Sequence, residues 1–199
     1  DKAAAFVDGR YTLQLRQQTD TRLFDPRDLV AEGPNAWLEA NAPKGARIGF
    51  DPWVHSAANA DALRASVEKA GAVLVPTDGN PIDAVWKDRP APPTEKAVPH
   101  AMALAGESAE SKRLRIAEEL KKQGADAAVI SLSDSICWLL NVRGADTPHT
   151  PFVLSSAILN GDGSVDWFVD GRKCSPDLQK HLGNAVRVRE PKEFESALD

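Results

Sequence analysis

An α/β chain built from two sister domains is the expectation, and three observations lead to it. Short apolar runs alternate with amphipathic stretches in a βαβα rhythm, the order that packs helices against a sheet. The pentapeptide Phe-Val-Asp-Gly-Arg occurs at Phe6–Arg10 and again at Phe168–Arg172, each copy ending a strand, turning on Gly and feeding a helix. Between the copies, Arg89-Pro-Ala-Pro-Pro93 places three prolines in five residues, which neither continue a helix nor donate to a central sheet.

The elements follow in order. Ala3–Val7 is a strand, Tyr11–Gln18 a helix and Arg22–Phe24 a short extended piece. Asn35–Ala40 is a helix stopped by Pro43 and Gly45, and Arg47–Phe50 a strand stopped by the Asp51–Pro52 turn. Ala57–Ala70 is rich in helix formers, with Gly71 where a C-terminal glycine belongs; Ala72–Val75 is a strand and Ile82–Trp86 a short helix. These make a first domain over 1–93. The irregular stretch 94–106 reads as a linker.

The second domain, 107–199, opens with a helix over Ser108–Gln123, with Ile116, Ala117 and Leu120 inward, Lys112 and Lys121 outward, and Gly124 as its cap. Ala127–Leu132 is a strand, and Asp134 is expected to cap a helix through Ile136–Leu140. Phe152–Leu159 and Val165–Val169 are strands around Asn160-Gly-Asp-Gly163, a hairpin turn. Pro176–Leu182 is a helix, Ala185–Val188 a strand, and Phe194–Asp199 the start of another helix. With no initiator Met and an unfinished last helix, the chain reads as part of a longer protein.

Composition excludes several classes. The 199 residues carry 24 Lys+Arg against 29 Asp+Glu, a net charge of −5, with no basic block of the kind nucleic-acid binding needs. No apolar run approaches the ~20 residues of a transmembrane helix, and no basic segment precedes the first apolar run as in a signal peptide. Five Trp and six Phe supply core anchors that disordered chains lack. Cys137 and Cys174 have no metal-ligand spacing and read as two reduced thiols rather than a disulfide, as in a cytoplasmic protein.

No HExxH, GxSxG, P-loop or GxGxxG is present. His55, His100, His149 and His181 stand singly. Asp166 and Asp177 read as a solvated strand residue and a helix-start acid rather than a metal pair. Asn160–Asp166 lacks the glycine and closing Glu of a calcium loop. Asp8, Asp51 and Asp170 are the only basis for a self-contained carboxylate hydrolase, and strand-end aspartates are ordinarily turn formers. In Cys137–Asp146, Trp138, Leu139 and Leu140 read as core, with Arg143 and Asp146 as a local pair. Arg10 has two readings: a surface ion pair with Asp8, or a planar fork at a sheet edge that holds a carboxylate or peptide carbonyl. Arg172 holds the matching place in the second copy.

Four strings carry a resemblance: Phe6-Val-Asp-Gly-Arg-Tyr11 with Gln14, Gly49-Phe-Asp-Pro52, Val85-Trp-Lys-Asp-Arg-Pro90 and Trp138-Leu-Leu-Asn-Val-Arg-Gly144. In this order they are similar to the aminopeptidase P (Xaa-Pro aminopeptidase) family over nearly the whole chain. The resemblance implies two creatinase-like N-terminal domains, each a mixed sheet flanked by helices. It implies a cytoplasmic parent enzyme that releases an N-terminal residue preceding proline. Two divalent metals, manganese, would sit in a C-terminal pita-bread domain whose motifs are absent here, leaving no metal ligand and no catalytic residue in this segment. Its partners would be a peptide with proline second and that catalytic domain, with a homodimer left open, and neither nucleic acid nor membrane. The resemblance assigns Arg10 a contact with bound peptide. The alternative function is a domain pair used only for protein interaction.

Overall fold

Three alanines, Phe6 and Val7 form β1 (Ala3–Val7), and the chain returns through helix α1 (Thr12–Gln18) to β2 (Phe24–Asp28), which lies parallel to β1 with Phe6 opposite Arg27. The computed structural model describes residues 3–198. By contact the chain divides into two units, Asp1–Pro90 and Ala91–Asp199. The first unit continues with α2 (Gly33–Asn41), β3 (Arg47–Phe50), α3 (Ala57–Lys69), β4 (Val73–Pro76) and α4 (Pro81–Val85), and β3 and β4 also pair in parallel. Each parallel pair is joined by a helical crossover, as strands running the same way require.

Helix α3 starts where the Ser56 hydroxyl accepts the Asn59 N–H at 3.2 Å, and stops before Gly71, whose φ of 78° suits glycine. Leu63 and Val67, one turn apart, bury against Ala72 and Leu74, with Leu38, Ile48 and Phe50 packed around them. Strand β2 lies C-terminal to the expected Arg22–Phe24 and runs through Pro26. The missing N–H there leaves no gap, because β2 pairs with β1 alone.

The second unit contains β5 (Val98–Pro99), α5 (Met102–Ala105), α6 (Ala109–Lys122), β6 (Ala127–Ile130), α7 (Ser133–Leu140) and β7 (Val142–Arg143), then β8 (Ser156–Asn160), β9 (Val165–Phe168), α8 (Pro176–Leu182) and β10 (Val186–Arg189). Its main sheet is mixed, in the order β10-β9-β8-β6: β8 is antiparallel to both neighbours and β10 parallel to β9. The hairpin between β8 and β9 closes through Gly163, at φ 84°, whose N–H reaches the Asn160 carbonyl at 2.9 Å. Trp167, Leu159, Leu178, Ile136 and Leu140 form the core.

The pentapeptide repeat marks a larger duplication. In β9-α8-β10 Phe168 faces Arg189 as Phe6 faces Arg27 in β1-α1-β2, so both copies share topology and register. Each Phe also meets an aromatic edge-on, Trp37 in one copy and Phe194 in the other. No helix of the described residues is long and apolar enough to cross a membrane.

Several elements differ from expectation. The stretch 94–106 carries β5 and α5; β5 pairs antiparallel with β7, and buried Ala97 donates to the Lys173 carbonyl at 3.0 Å. Backbone pairing holds these residues to the second unit despite their prolines. Lys112, expected outward, is 2% exposed. Helix α7 starts at Ser133 with Leu132 at its N-cap, so Asp134 lies in the first turn and accepts the Ser135 N–H instead of capping. Phe152–Ser155 precede the sheet as loop, and 3-10 turns at Pro191–Glu193 and Glu195–Ala197 stand where a last helix was expected, with Asp199 outside the described residues.

Candidate functional site

Asp8-Gly9-Arg10 follows the C-terminal end of a parallel strand, the edge at which α/β sheets present ligand-binding groups. The Asp8 carboxylate bridges the turn. Oδ1 accepts the Arg10 backbone N–H at 2.9 Å and Nε–H at 3.1 Å, and Oδ2 accepts Nη2–H at 2.6 Å. The side chains of Arg10 and Asp8 are 81% and 28% exposed. The Arg10 guanidinium holds the Asp8 carboxyl below its usual range, and Asp8 in turn raises Arg10. Arg10 Cζ also lies 5.7 Å from the Tyr11 ring centroid. An exposed ion pair is weak because water competes for both partners, and Arg10 keeps Nη1 free of intramolecular bonds among the described residues. The turn can therefore offer a guanidinium to an incoming carboxylate or carbonyl. The cavity of about 190 Å³ nearest in sequence is lined by Val7, Thr12, Leu15, Pro26 and neighbours, and Arg10 is not among them.

The second copy reproduces this geometry. Arg172 donates from its backbone N–H and Nε–H to Asp170 Oδ1 at 2.9 and 3.0 Å, and from Nη2–H to Oδ2 at 2.6 Å. Side-chain and then backbone hydrogen bonds from Arg172 lower the Asp170 carboxyl to about 2. Asp20-Thr-Arg22 repeats it a third time, outside the pentapeptide, at 2.9, 2.9 and 2.6 Å. The pairing thus follows from Asp-x-Arg spacing in a tight turn and does not by itself distinguish Arg10.

The other aspartates have local work. Asp51 accepts the Trp53 N–H at 2.9 Å and an Asn80 side-chain N–H at 2.8 Å, as a turn former. His181 Nε2 lies 3.1 Å from the Leu140 carbonyl and His55 packs edge-on against Phe50. Among the described residues no three His, Cys, Asp or Glu side chains gather as metal ligands. Cys137 and Cys174 are free thiols, both pushed up by burial.

Buried polar groups that sequence reasoning missed lie in the second unit. Asp146 ion-pairs with Lys173, not Arg143; the two side chains are 1% and 4% exposed, and Asp146 Oδ2 also accepts the Leu154 N–H at 2.7 Å. Arg143 instead donates to the Val142 carbonyl at 2.8 Å. Lys112 Nζ donates to the Trp138 carbonyl at 2.9 Å and to Asn141 Oδ1 at 2.8 Å, and lies 4.4 Å from the Trp138 ring centroid. Desolvation lowers its pKa. The only sequence signal was the density of Trp, Asn, Arg and Asp in 137–146. Lysine's apolar stem and charged head make it read as solvent-facing whenever its partners are distant in sequence.

Comparison with known proteins matches both halves to one description. Profiles of the creatinase/prolidase N-terminal domain match residues 1–85 and 88–199. A probable Xaa-Pro aminopeptidase P of Paracoccidioides brasiliensis is 35% identical over 191 residues, covering 94% of this chain and 31% of that protein. Its counterpart in Aspergillus niger is 37% identical over the same length, with the same coverage. The crystal structure of X-prolyl aminopeptidase from Caenorhabditis elegans, described as a cytosolic enzyme with a di-nuclear active site, superimposes with a TM-score of 0.91 at 28% identity, over 99% of this chain and 32% of that one. The chain spans about a third of the length of these relatives. With two matched profiles and the duplicated α/β architecture, the chain belongs to the creatinase/prolidase N-terminal domain family, in the form found in Xaa-Pro aminopeptidases.

Proposed function

We propose that this chain is the non-catalytic N-terminal part of a cytoplasmic Xaa-Pro aminopeptidase, which releases an N-terminal residue preceding proline. Its two creatinase-like domains shape access to the active site, and Arg10 contacts the bound peptide. The observation that carries this is the match of both halves to relatives named for that activity. In this reading the two divalent metals, manganese, and the hydrolytic chemistry belong to a C-terminal catalytic domain, in keeping with the di-nuclear active site described for the Caenorhabditis elegans enzyme, of which this chain matches 32%. Arg10 contributes orientation: a charge-assisted donor that leaves a weak exposed partner for a peptide oxygen holds the substrate without reacting.

Two measurements test this. The 199-residue chain, supplied with manganese and a Xaa-Pro tripeptide, is expected to release no N-terminal residue; metal-dependent turnover would overturn the non-catalytic assignment. In the parent enzyme, Arg10→Gln is expected to raise KM about tenfold with a smaller change in kcat. An unchanged KM would remove Arg10 from the substrate and leave the domain pair as an interaction module.

A further inference from the structure

Strand β1 stands at the edge of its sheet, yet its counterpart in the duplication, β9, stands in the middle of one. Among the described residues β1 pairs with β2 alone, whereas β9 lies between β10 and β8. The two copies otherwise agree down to single hydrogen bonds. Ala3 donates to the Leu23 carbonyl at 2.9 Å, as Val165 donates to the Ala185 carbonyl at 2.8 Å. A parallel ladder uses alternate residues, so Ala3, Ala5 and Val7 bond to β2, as Val165, Trp167 and Val169 bond to β10. The N–H and C=O groups of Ala4 and Phe6 point the other way. Their counterparts, Asp166 and Phe168, point at β8, opposite Ile158 and Ser156.

Burial shows what the extra strand does. Val165, Trp167, Phe168 and Val169 are each at most 1% exposed, while Ala4–Val7 stay half-buried and Ala3 is exposed. The buried core of the first unit consists of Leu63, Val67, Ala72 and Leu74, none of them in β1 or β2. Strands β3 and β4 form a separate two-stranded sheet, so neither pairs with β1. An open row of backbone donors and acceptors beside apolar side chains is a template for a further strand. The outer edge of β2 is not equivalent, because Pro26 faces it and supplies no N–H. The sheet therefore extends more readily past β1 than past β2.

We propose that the free edge of β1 is filled by an antiparallel strand from the parent polypeptide upstream of β1, the counterpart of β8, which completes the sheet of the first domain. The β8–β9 hairpin supplies the register. Trp167 stands opposite Ala157, ten positions earlier, so Ala5 stands opposite the residue ten positions before it. The same pattern gives the strand an apolar centre, as in β8, whose three central residues are buried. A second copy of the chain or a separate peptide would not be held to that register by a short turn.

The test uses the parent polypeptide, with Ala5→Cys combined with a cysteine ten positions upstream. Trp167 and Ala157 form a pair with no hydrogen bonds between them, since the ladder bonds run through Asp166 and Phe168. Such pairs hold Cα atoms about 4.5 Å apart, within disulfide reach. Mild oxidation is expected to close an intramolecular disulfide at least about tenfold faster than with the second cysteine nine positions upstream, where the side chain points to the opposite face. Hydrogen exchange of the unsubstituted parent is expected to show the Ala4 and Phe6 amides slowed at least about 100-fold relative to unpaired amides. Neither readout depends on peptidase activity, so failure here is separate from failure of the functional reading. No disulfide in either variant, equal rates in both, a disulfide between two copies, or free exchange at Ala4 and Phe6 would each overturn the proposal. If the cysteine variants fail to fold, exchange in the unsubstituted parent decides.

Discussion

Replacing Asp146 by Ala leaves the Lys173 ammonium buried without its counter-charge and strips the Leu154 N–H of its acceptor. Both groups are out of water: the Lys173 side chain is 4% exposed and that of Asp146 1%. Removing one partner of a buried pair costs about 3–5 kcal/mol. The orphaned N–H would add about 1–3 kcal/mol if the loop could not relax, though effects at one site are not additive. We therefore expect D146A to destabilise the second unit by about 4 kcal/mol, lowering its melting temperature by more than about 10 °C for a domain of ~100 residues. The assay is urea unfolding of D146A beside a double-mutant cycle of wild type, D146L, K173M and D146L/K173M. Because the pair must repay the desolvation of two charges, and Asp146 Oδ1 has no partner, the apolar double variant is expected within about 1–2 kcal/mol of wild type. A loss in D146A under 1 kcal/mol, or a double variant as unstable as D146A, would refute the claim that unpaired buried charge governs this site.

Three other outcomes follow from the same structure. The Asp170 carboxyl, lowered to about 2 by Arg172, contributes stability that is complete above its unfolded value of 3.8 and is lost as pH falls through about 2; carboxyl-carbon NMR should place its midpoint near 2, and R172Q should return it toward 3.8. Lys112→Met removes two hydrogen bonds and strands Asn141 Oδ1, so a loss of about 2 kcal/mol is expected by chemical unfolding, while Lys121→Met, on an exposed position of the same helix, should be near neutral. A Cβ at Gly144 would lie 2.6 Å from Val153 Cγ2 and 2.7 Å from the Phe152 carbonyl oxygen, so Gly144→Ala is expected to lower the melting temperature of the second unit, whereas Gly79→Ala, with open space around it, should not.

Local signals sufficed for most elements. Serines and glycines at helix ends, alternation of apolar runs and the Asn160–Gly163 turn act within a few residues, so α3, α6, α8 and the β8–β9 hairpin lie close to where spacing puts them. Expectation strayed where pairing is long-range. A two-residue strand such as β5 has no period to detect and exists because β7 lies beside it. Asp134 satisfies a capping pattern, yet the helix starts earlier because Leu132 takes the cap position. For the candidate site, the Asp8–Arg10 pair was legible because its partners are two residues apart, and the same spacing produces it at Asp20–Arg22 and Asp170–Arg172.

The α/β class, the duplication and the family are written in short-range pattern and in strings of residues that survive without knowing what touches what. Where buried charge ends up is not. Lys112, Lys173, Arg113 and Asp146 look like ordinary solvated residues along the chain; they become a brace, an ion pair and a buried donor to the Gly163 carbonyl only when helices and loops separated by tens of residues close over them. A charge's environment is set by everything that excludes water from it, and that property belongs to the packed molecule.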